Sequence, residues 1–214
     1  MEKIGFYGGC FNPPTLAHIN LANKAIKKYK LNKLYFVPVG DKYQKSNLAN
    51  ANKRLEMLNI SIKNNNKMEV LDIEIYQEKN LKANEVFKLI QNQFSNTKNF
   101  FIMGADNFVT IEKWENATEL IQNFNYIVLE RQGFDLKQHI KQSNILKKYN
   151  KNFNILKNEK SSISSTIVRN LIQQEKYEEL EKYLDIEVIE YIINNNLYNG
   201  LFNKFSQNAW KKTI

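Results

Sequence analysis

Short apolar runs alternating with stretches of helical period restrict the fold of this chain more than any other feature. The runs are KIGFY (3–7), KLYFVPV (33–39), MEVLDIEI (68–75), NFFIMG (99–104), NYIVLE (125–130) and NFNIL (152–156). They are rich in β-branched and aromatic residues and end in turn signals, as strands do. Between them, residues 15–29, 50–62, 83–94, 116–123 and 135–149 read as helices. In the first of these, Leu16, Ile19, Ala22, Ile26 and Tyr29 fall on one stripe. Strands alternating with helices predict an α/β fold, a doubly wound parallel sheet covered on both faces, with ligands outside the carboxyl ends of its strands. From about residue 165 the pattern changes: STIVRNLIQQ, YEELEKYL and EVIEYIINNN predict three consecutive helices, either a subdomain or a layer over one sheet edge. One domain is expected over 1–198, with 199–214 an extension of unassigned role.

At 214 residues the chain can bury a full core unaided, and its single cysteine, Cys10, leaves no partner for an intrachain disulfide. That cysteine usage suits a reducing compartment. The N-terminus shows no signal-peptide pattern, and no stretch reaches the ~18 apolar residues of a membrane helix, so a cytoplasmic protein without membrane partners is expected. A net charge of +9 has two readings, a nucleic-acid or polyphosphate partner, or solvated lysine-rich helix faces. A small anionic substrate is compatible with both. The aromatic residues sit in the apolar runs rather than in basic stretches, which argues against nucleic acid. No Cys/His ligand cluster is present, so no zinc is expected.

The segment GGCFNPPTLAH (8–18) joins the first strand to the first helix. Gly8 and Gly9 are expected to allow positive φ and close approach of a ligand, and Pro13 and Pro14 to preset the helix start. A helix N-terminus there offers unpaired N–H groups and partial positive charge to an anion. Thr15 and His18, three residues apart, share a helix face and could point together at a phosphate. Alone, a T-x-x-H reads more readily as a helix cap with a packed or surface histidine. Far downstream, SSISSTIVRN (161–170) is a second loop-to-helix start, with hydroxyls and an arginine fork one turn in. Alone, it too reads as a helix cap.

Together these segments resemble the two signatures of the nucleotidyltransferase superfamily, G-x-F-[DN]-P-x-[HT]-x-[GA]-H and I-S-S-T-x-[IV]-R. The second is present as Ile163, Ser164, Ser165, Thr166, Ile167, Val168 and Arg169. Within the superfamily the chain is most similar to the nicotinate mononucleotide adenylyltransferases. The length fits them, as do FIMGADNFVTIEKW (101–114), YIVLERQGF (126–134), EVIEYIINNNLY (187–198) and FVPVGDKYQKSNLANANKRLEML (36–58), the last holding Lys45 and Arg54. The resemblance spans residues 1–198 and implies a Rossmann-like sheet with a helical C-terminal portion.

Carried over, it implies that Gly8, Gly9, Cys10 and Phe11 line an ATP loop and that Thr15 and His18 contact the phosphates. Ser164, Ser165, Thr166 and Arg169 would complete the triphosphate site, with Gly104 and Asp106 at the adenosine. Trp114 would stack on a pyridine ring, and Lys45 and Arg131 would meet the acceptor's anionic groups. Thr15, His18, Lys45 and Arg169 are thus the expected catalytic set, with Mg²⁺ carried by ATP. Two departures fall on the acceptor side: Ala83, in LKANEV (81–86), stands where threonine is usual, and KYQ precedes Lys45 in place of P-P-H. The implied activity moves AMP from ATP to nicotinate mononucleotide in NAD biosynthesis, releasing pyrophosphate. The alternatives are another acceptor (nicotinamide mononucleotide or 4′-phosphopantetheine) and a basic nucleic-acid-binding protein. Whether the chain forms a homo-oligomer stays open.

Overall fold

The computed structural model describes residues 1–157 and 164–198. Ile163 of the second signature and the expected extension 199–214 lie outside them. Six strands, β1 (Lys3–Gly9), β2 (Lys33–Pro38), β3 (Met68–Val70), β4 (Lys98–Gly104), β5 (Asn125–Leu129) and β6 (Phe153–Leu156), form one sheet in the order β3-β2-β1-β4-β5-β6. Every pairing is parallel. The chain winds outward from β1 in one direction and from β4 in the other, so a crevice opens where these two strands meet.

Period-two alternation makes both faces apolar. Ile4, Phe6, Phe101, Met103, Tyr126 and Val128 enter one core; Tyr7, Phe100, Ile102, Ile127 and Leu129 enter the other. Helix α1 (Leu16–Tyr29) covers the second core with Ala22, Ala25 and Ile26, joined there by Leu58 and Ile62 of α2 (Ala51–Ile62). The first core is closed by α3 (Ala83–Gln93), the short α4 (Ala105–Phe108) and α5 (Ala117–Asn123), with α6 (Leu136–Gln142) and α7 (Asn144–Lys148) beyond.

Four expectations are corrected in detail. β3 ends at Val70, and residues 73–76 form turns instead of continuing the strand. The helix expected over 135–149 is broken at Ser143, whose extended backbone ends α6 and whose hydroxyl accepts from the Leu146 N–H to start α7. In addition, α4 and a 3-10 turn at Ile111–Lys113 form between the fourth strand and the next expected helix, where the pattern predicts no element. Of the three C-terminal helices, α8 (Ser165–Gln173) and α9 (Ile186–Asn194) are α-helical, whereas Tyr177–Lys182 is 3-10. This portion does not stand apart as a subdomain. Val168, Ile172, Leu180, Val188, Ile189 and Ile192 pack with Met57 of α2 in a third cluster.

Candidate functional site

A cleft of about 1600 Å³ lies at the carboxyl ends of β1, β4 and β5. Pockets for one small molecule are roughly 300–1,000 Å³, so the cleft has room for more than one. Gly8, Gly9, Cys10, Phe11, His18, Lys45, Gly104, Asp106, Trp114, Arg131, Ser164, Ser165, Thr166 and Arg169 all lie on its wall. Thr15 alone of the expected residues does not: it is 2% exposed.

The loop after β1 differs from expectation in its mechanics. Gly8 and Gly9 are the last residues of β1, and the positive φ (46°) belongs to Phe11. Gly8 matters because a Cβ there would meet nothing within 4 Å, leaving its backbone bare to the cleft. Gly9 is glycine because a Cβ would strike the Phe11 ring at 2.9 Å. Pro13 and Pro14 precede Thr15, the N-cap of α1, and so lie outside its first turn.

Thr15 and His18 do not reach out side by side. The Thr15 backbone N–H donates to His18 Nδ1 at 3.0 Å, and the Thr15 hydroxyl lies 2.8 Å from the same nitrogen. A backbone N–H only donates, so Nδ1 is the bare nitrogen and the ring proton sits on Nε2. Tyr7 and Phe11 pack around the half-buried ring, and burial pushes its pKa down to about 4. At neutral pH the cleft therefore meets an uncharged imidazole that donates from Nε2. Thr15 orients it from behind.

The second signature closes onto the first. Ser164 caps α8 by accepting from the Ile167 N–H at 3.3 Å. Ser165 Oγ donates to the Pro13 carbonyl at 2.8 Å, and Arg169 Nη1 to the Asn12 carbonyl at 2.8 Å. Arg169 Nη2 also lies 3.3 Å from Thr166 Oγ1. Segments about 150 positions apart thus become one wall, with part of the Arg169 fork already committed to the loop.

Lys45 Nζ stands 3.6 Å from Cys10 Sγ in the loop after β1. Gly104 caps α4, and the space its Cβ would fill is held by the Asp106 carboxylate, 2.5 Å away. Trp114 is half-buried against the first core, Arg131 is exposed, and Ala83 also lines the cleft.

Sequence reasoning assigned no role to several residues here. Glu74, on the wall, has its pKa raised to about 7 by burial, with Arg54 pulling the other way. Tyr43 is on the wall beside it. Asn12, 4% exposed, donates from Nδ2 to the Asn47 carbonyl and accepts from the Ala49 N–H at Oδ1. Arg54 is wholly buried. A signal existed for the last: it falls on the apolar stripe of α2 with Ala51, Leu58 and Ile62.

Comparison with known proteins agrees with this geometry. The cytidylyltransferase-like family model matches residues 6–171. A "Probable nicotinate-nucleotide adenylyltransferase" of Clostridium acetobutylicum is 33% identical over 201 residues, 92% of this chain and 100% of that protein. One of Clostridium botulinum (strain Okra / Type B1) is 32% identical over 202 residues, with the same shares. Among solved structures, Plasmodium falciparum nicotinic acid mononucleotide adenylyltransferase complexed with NaAD superposes with TM-score 0.78 at 24% identity, over 92% of this chain and 98% of that one. Two signatures meeting on one wall of a parallel-sheet crevice, in a chain related to such proteins over nearly its whole length, place it in the cytidylyltransferase-like family, among the nicotinate-nucleotide adenylyltransferases.

Proposed function

We propose that this protein transfers AMP from ATP to nicotinate mononucleotide, giving nicotinate adenine dinucleotide and pyrophosphate in NAD biosynthesis. The observation that carries this reading is the junction of Arg169 and Ser165 with the Asn12–Pro13 carbonyls, which gathers both phosphate-binding signatures at one crevice. An oxygen of the acceptor's 5′-phosphate attacks Pα in line. The new O–Pα bond forms as the bond from Pα to the bridging oxygen breaks, and that oxygen leaves with its electron pair on pyrophosphate. The nucleophile is already anionic near neutral pH, so positioning and charge stabilisation suffice.

In this reading His18 Nε2–H donates to a phosphate oxygen whose charge grows, while Arg169 and Lys45 balance the charge. Asp106 takes the ribose hydroxyls, Trp114 the pyridine face, and Arg131 the acceptor's anionic groups. Ser164, Ser165 and Thr166 bring the start of α8, and its free N–H groups, to the triphosphate. Mg²⁺ fits as part of the nucleotide: no group of three His, Cys, Asp or Glu among the described residues could cage an ion, and Mg²⁺ is usually bound by phosphates with one or two carboxylates. Bound there, it would neutralise triphosphate charge. A cytoplasmic location accords with this chemistry, and no helix among the described residues is long and apolar enough to cross a membrane.

The test is pyrophosphate release with ATP and each of three acceptors: nicotinate mononucleotide, nicotinamide mononucleotide and 4′-phosphopantetheine. The reading expects nicotinate mononucleotide to give the highest kcat/KM. Preference for either other acceptor would overturn it while keeping adenylyl transfer, and release with none would overturn both.

A further inference from the structure

We infer that Arg54 is a positioning residue for this reaction: from behind the cleft it fixes both the Cys10–Phe11 peptide and the segment that carries Lys45. The inference rests on the proposed adenylyl transfer, but its observations are independent of it. Arg54 is 0% exposed and does not line the cleft. Its guanidinium nevertheless reaches three chain segments that do not otherwise adjoin in sequence. Nη1 donates to the Cys10 carbonyl at 2.9 Å, Nη2 to the Val39 carbonyl at 2.6 Å and Nε to the Ala49 carbonyl at 2.8 Å. These carbonyls belong to the loop after β1, the exit of β2 and the lead-in to α2.

The first bond has a consequence on the cleft side. The Cys10–Phe11 peptide is trans, so a Cys10 carbonyl turned back to Arg54 puts the Phe11 N–H on the opposite edge of the same plane. Both residues line the cleft, and among the described residues the Phe11 N–H meets no acceptor. A charged donor on the carbonyl polarises that N–H and prevents the peptide from flipping. The other two bonds act on residues 40–50. Arg54 holds this segment at Val39 and Ala49, Asn12 holds it at Asn47 and Ala49, and Asp41 accepts from the Ala51 N–H at 2.6 Å. Lys45 sits in the middle of the span so fixed, 3.6 Å from Cys10 Sγ. One buried fork therefore sets a donor on the nucleotide side and a cation on the acceptor side relative to each other.

A buried cation carries a large desolvation cost, and here three carbonyls offset it with charge-assisted bonds. A stability contribution is therefore expected beside the positioning one, and the test must separate the two. The nearest carboxylate oxygen, on Asp41, is 3.9 Å away. An apolar side chain could fill the space but could not hold three carbonyls, and lysine would supply the charge without the planar fork.

The experiment compares Arg54→Gln and Arg54→Lys with wild type and with Tyr126→Phe. The last removes another buried bond, from the Tyr126 hydroxyl to the Leu120 carbonyl, away from the cleft. Thermal unfolding, kcat, KM for each substrate, and the Kd of Mg·ATP by calorimetry are measured well below each Tm. Arg54→Gln is expected to lose about 10²-fold in kcat, with weaker Mg·ATP binding and a higher KM for the acceptor. Arg54→Lys should recover only part of this, and Tyr126→Phe should lose Tm with kcat and both KM values unchanged. A folded Arg54→Gln with wild-type kcat, KM and Kd overturns the inference. If Arg54→Gln does not fold, Arg54→Lys carries the test, and full activity in it overturns the inference equally. A wild type that binds Mg·ATP yet adenylylates no acceptor defeats the functional reading alone, because the Kd values still judge Arg54.

Discussion

At the residue scale the proposed chemistry turns on a histidine kept neutral. His18 has a folded-state pKa of about 4 against an ordinary 6.5. Between those values the unfolded chain takes a proton that the folded chain refuses, so stability rises with pH across this window and is lost as pH falls through it. The full effect is on the order of 3 kcal/mol. Urea midpoints of wild type should therefore fall more steeply from pH 6.5 to 4.5 than those of His18→Gln, which lacks the titrating ring. Parallel curves would show that burial does not hold the ring neutral. In catalysis, His18→Ala should lower kcat roughly 10²–10³-fold, the usual cost of one preorganised donor, and unchanged kcat would remove His18 from the mechanism. The neighbouring glycines separate by role. Gly9→Ala should destabilise the fold by about 1–3 kcal/mol, because its Cβ would overlap the Phe11 ring at 2.9 Å. Gly8→Ala, meeting nothing within 4 Å, should leave the urea midpoint unmoved and raise the KM for ATP. His18 and the glycines were legible because their identities are rare in this chain. Thr15's inward turn and Glu74's raised pKa were not, since both depend on which way a side chain faces after packing.

Among the elements, α8 has two tasks. It brings Arg169 to the cleft, and it braces the loop after β1 through the Pro13 and Asn12 carbonyls. Ser165→Ala should therefore weaken the brace and, with it, the placement of Arg169, whereas Arg169→Lys loses the fork directly. In a double-mutant cycle on kcat/KM for ATP the two losses should fall short of additive, because each already disturbs the same junction. Strict additivity would mean that Ser165 and Arg169 work separately. Strand and helix positions in the sheet could be read from period alone, since each apolar run became a strand and the first four expected helices, α1, α2, α3 and α5, begin and end within one or two residues of expectation. The differences lie where local capping or tertiary contact overrides period. Ser143 stops one helix to cap the next, and the apolar residues after Val70 leave the sheet. There Gly40 packs so close that a Cβ on it would stand 2.2 Å from the Glu74 carbonyl oxygen. No pattern in either stretch announces those contacts.

For the molecule as a whole, the question is whether the C-terminal portion can come away from the sheet that it helps to complete. Met57 is 0% exposed and, among the described residues, is the one buried member of the third cluster supplied from outside residues 165–198. It lies on α2, one turn after Arg54, and that helix also contributes Leu58 and Ile62 to the core on the sheet. Loosening the C-terminal portion thus strains the same helix that holds the loop after β1. Met57→Ala should cost about 2–5 kcal/mol, the range for a buried truncation. In a Trp210→Phe background, far-UV dichroism and Trp114 fluorescence should shift together in that variant, because α8 is bonded to the loop beside Trp114's cleft. Saturating Mg·ATP should then restore stability: a ligand at about 100 times its Kd contributes roughly 2.7 kcal/mol if it binds only the assembled state. The wall proposed to bind the nucleotide is built from residues 8–18 and 164–169 together, so a ligand there must pull the two segments together. Separate transitions, or ATP rescue confined to the fluorescence signal, would show instead that the C-terminal helices unfold as an independent unit and that the cleft tolerates their departure.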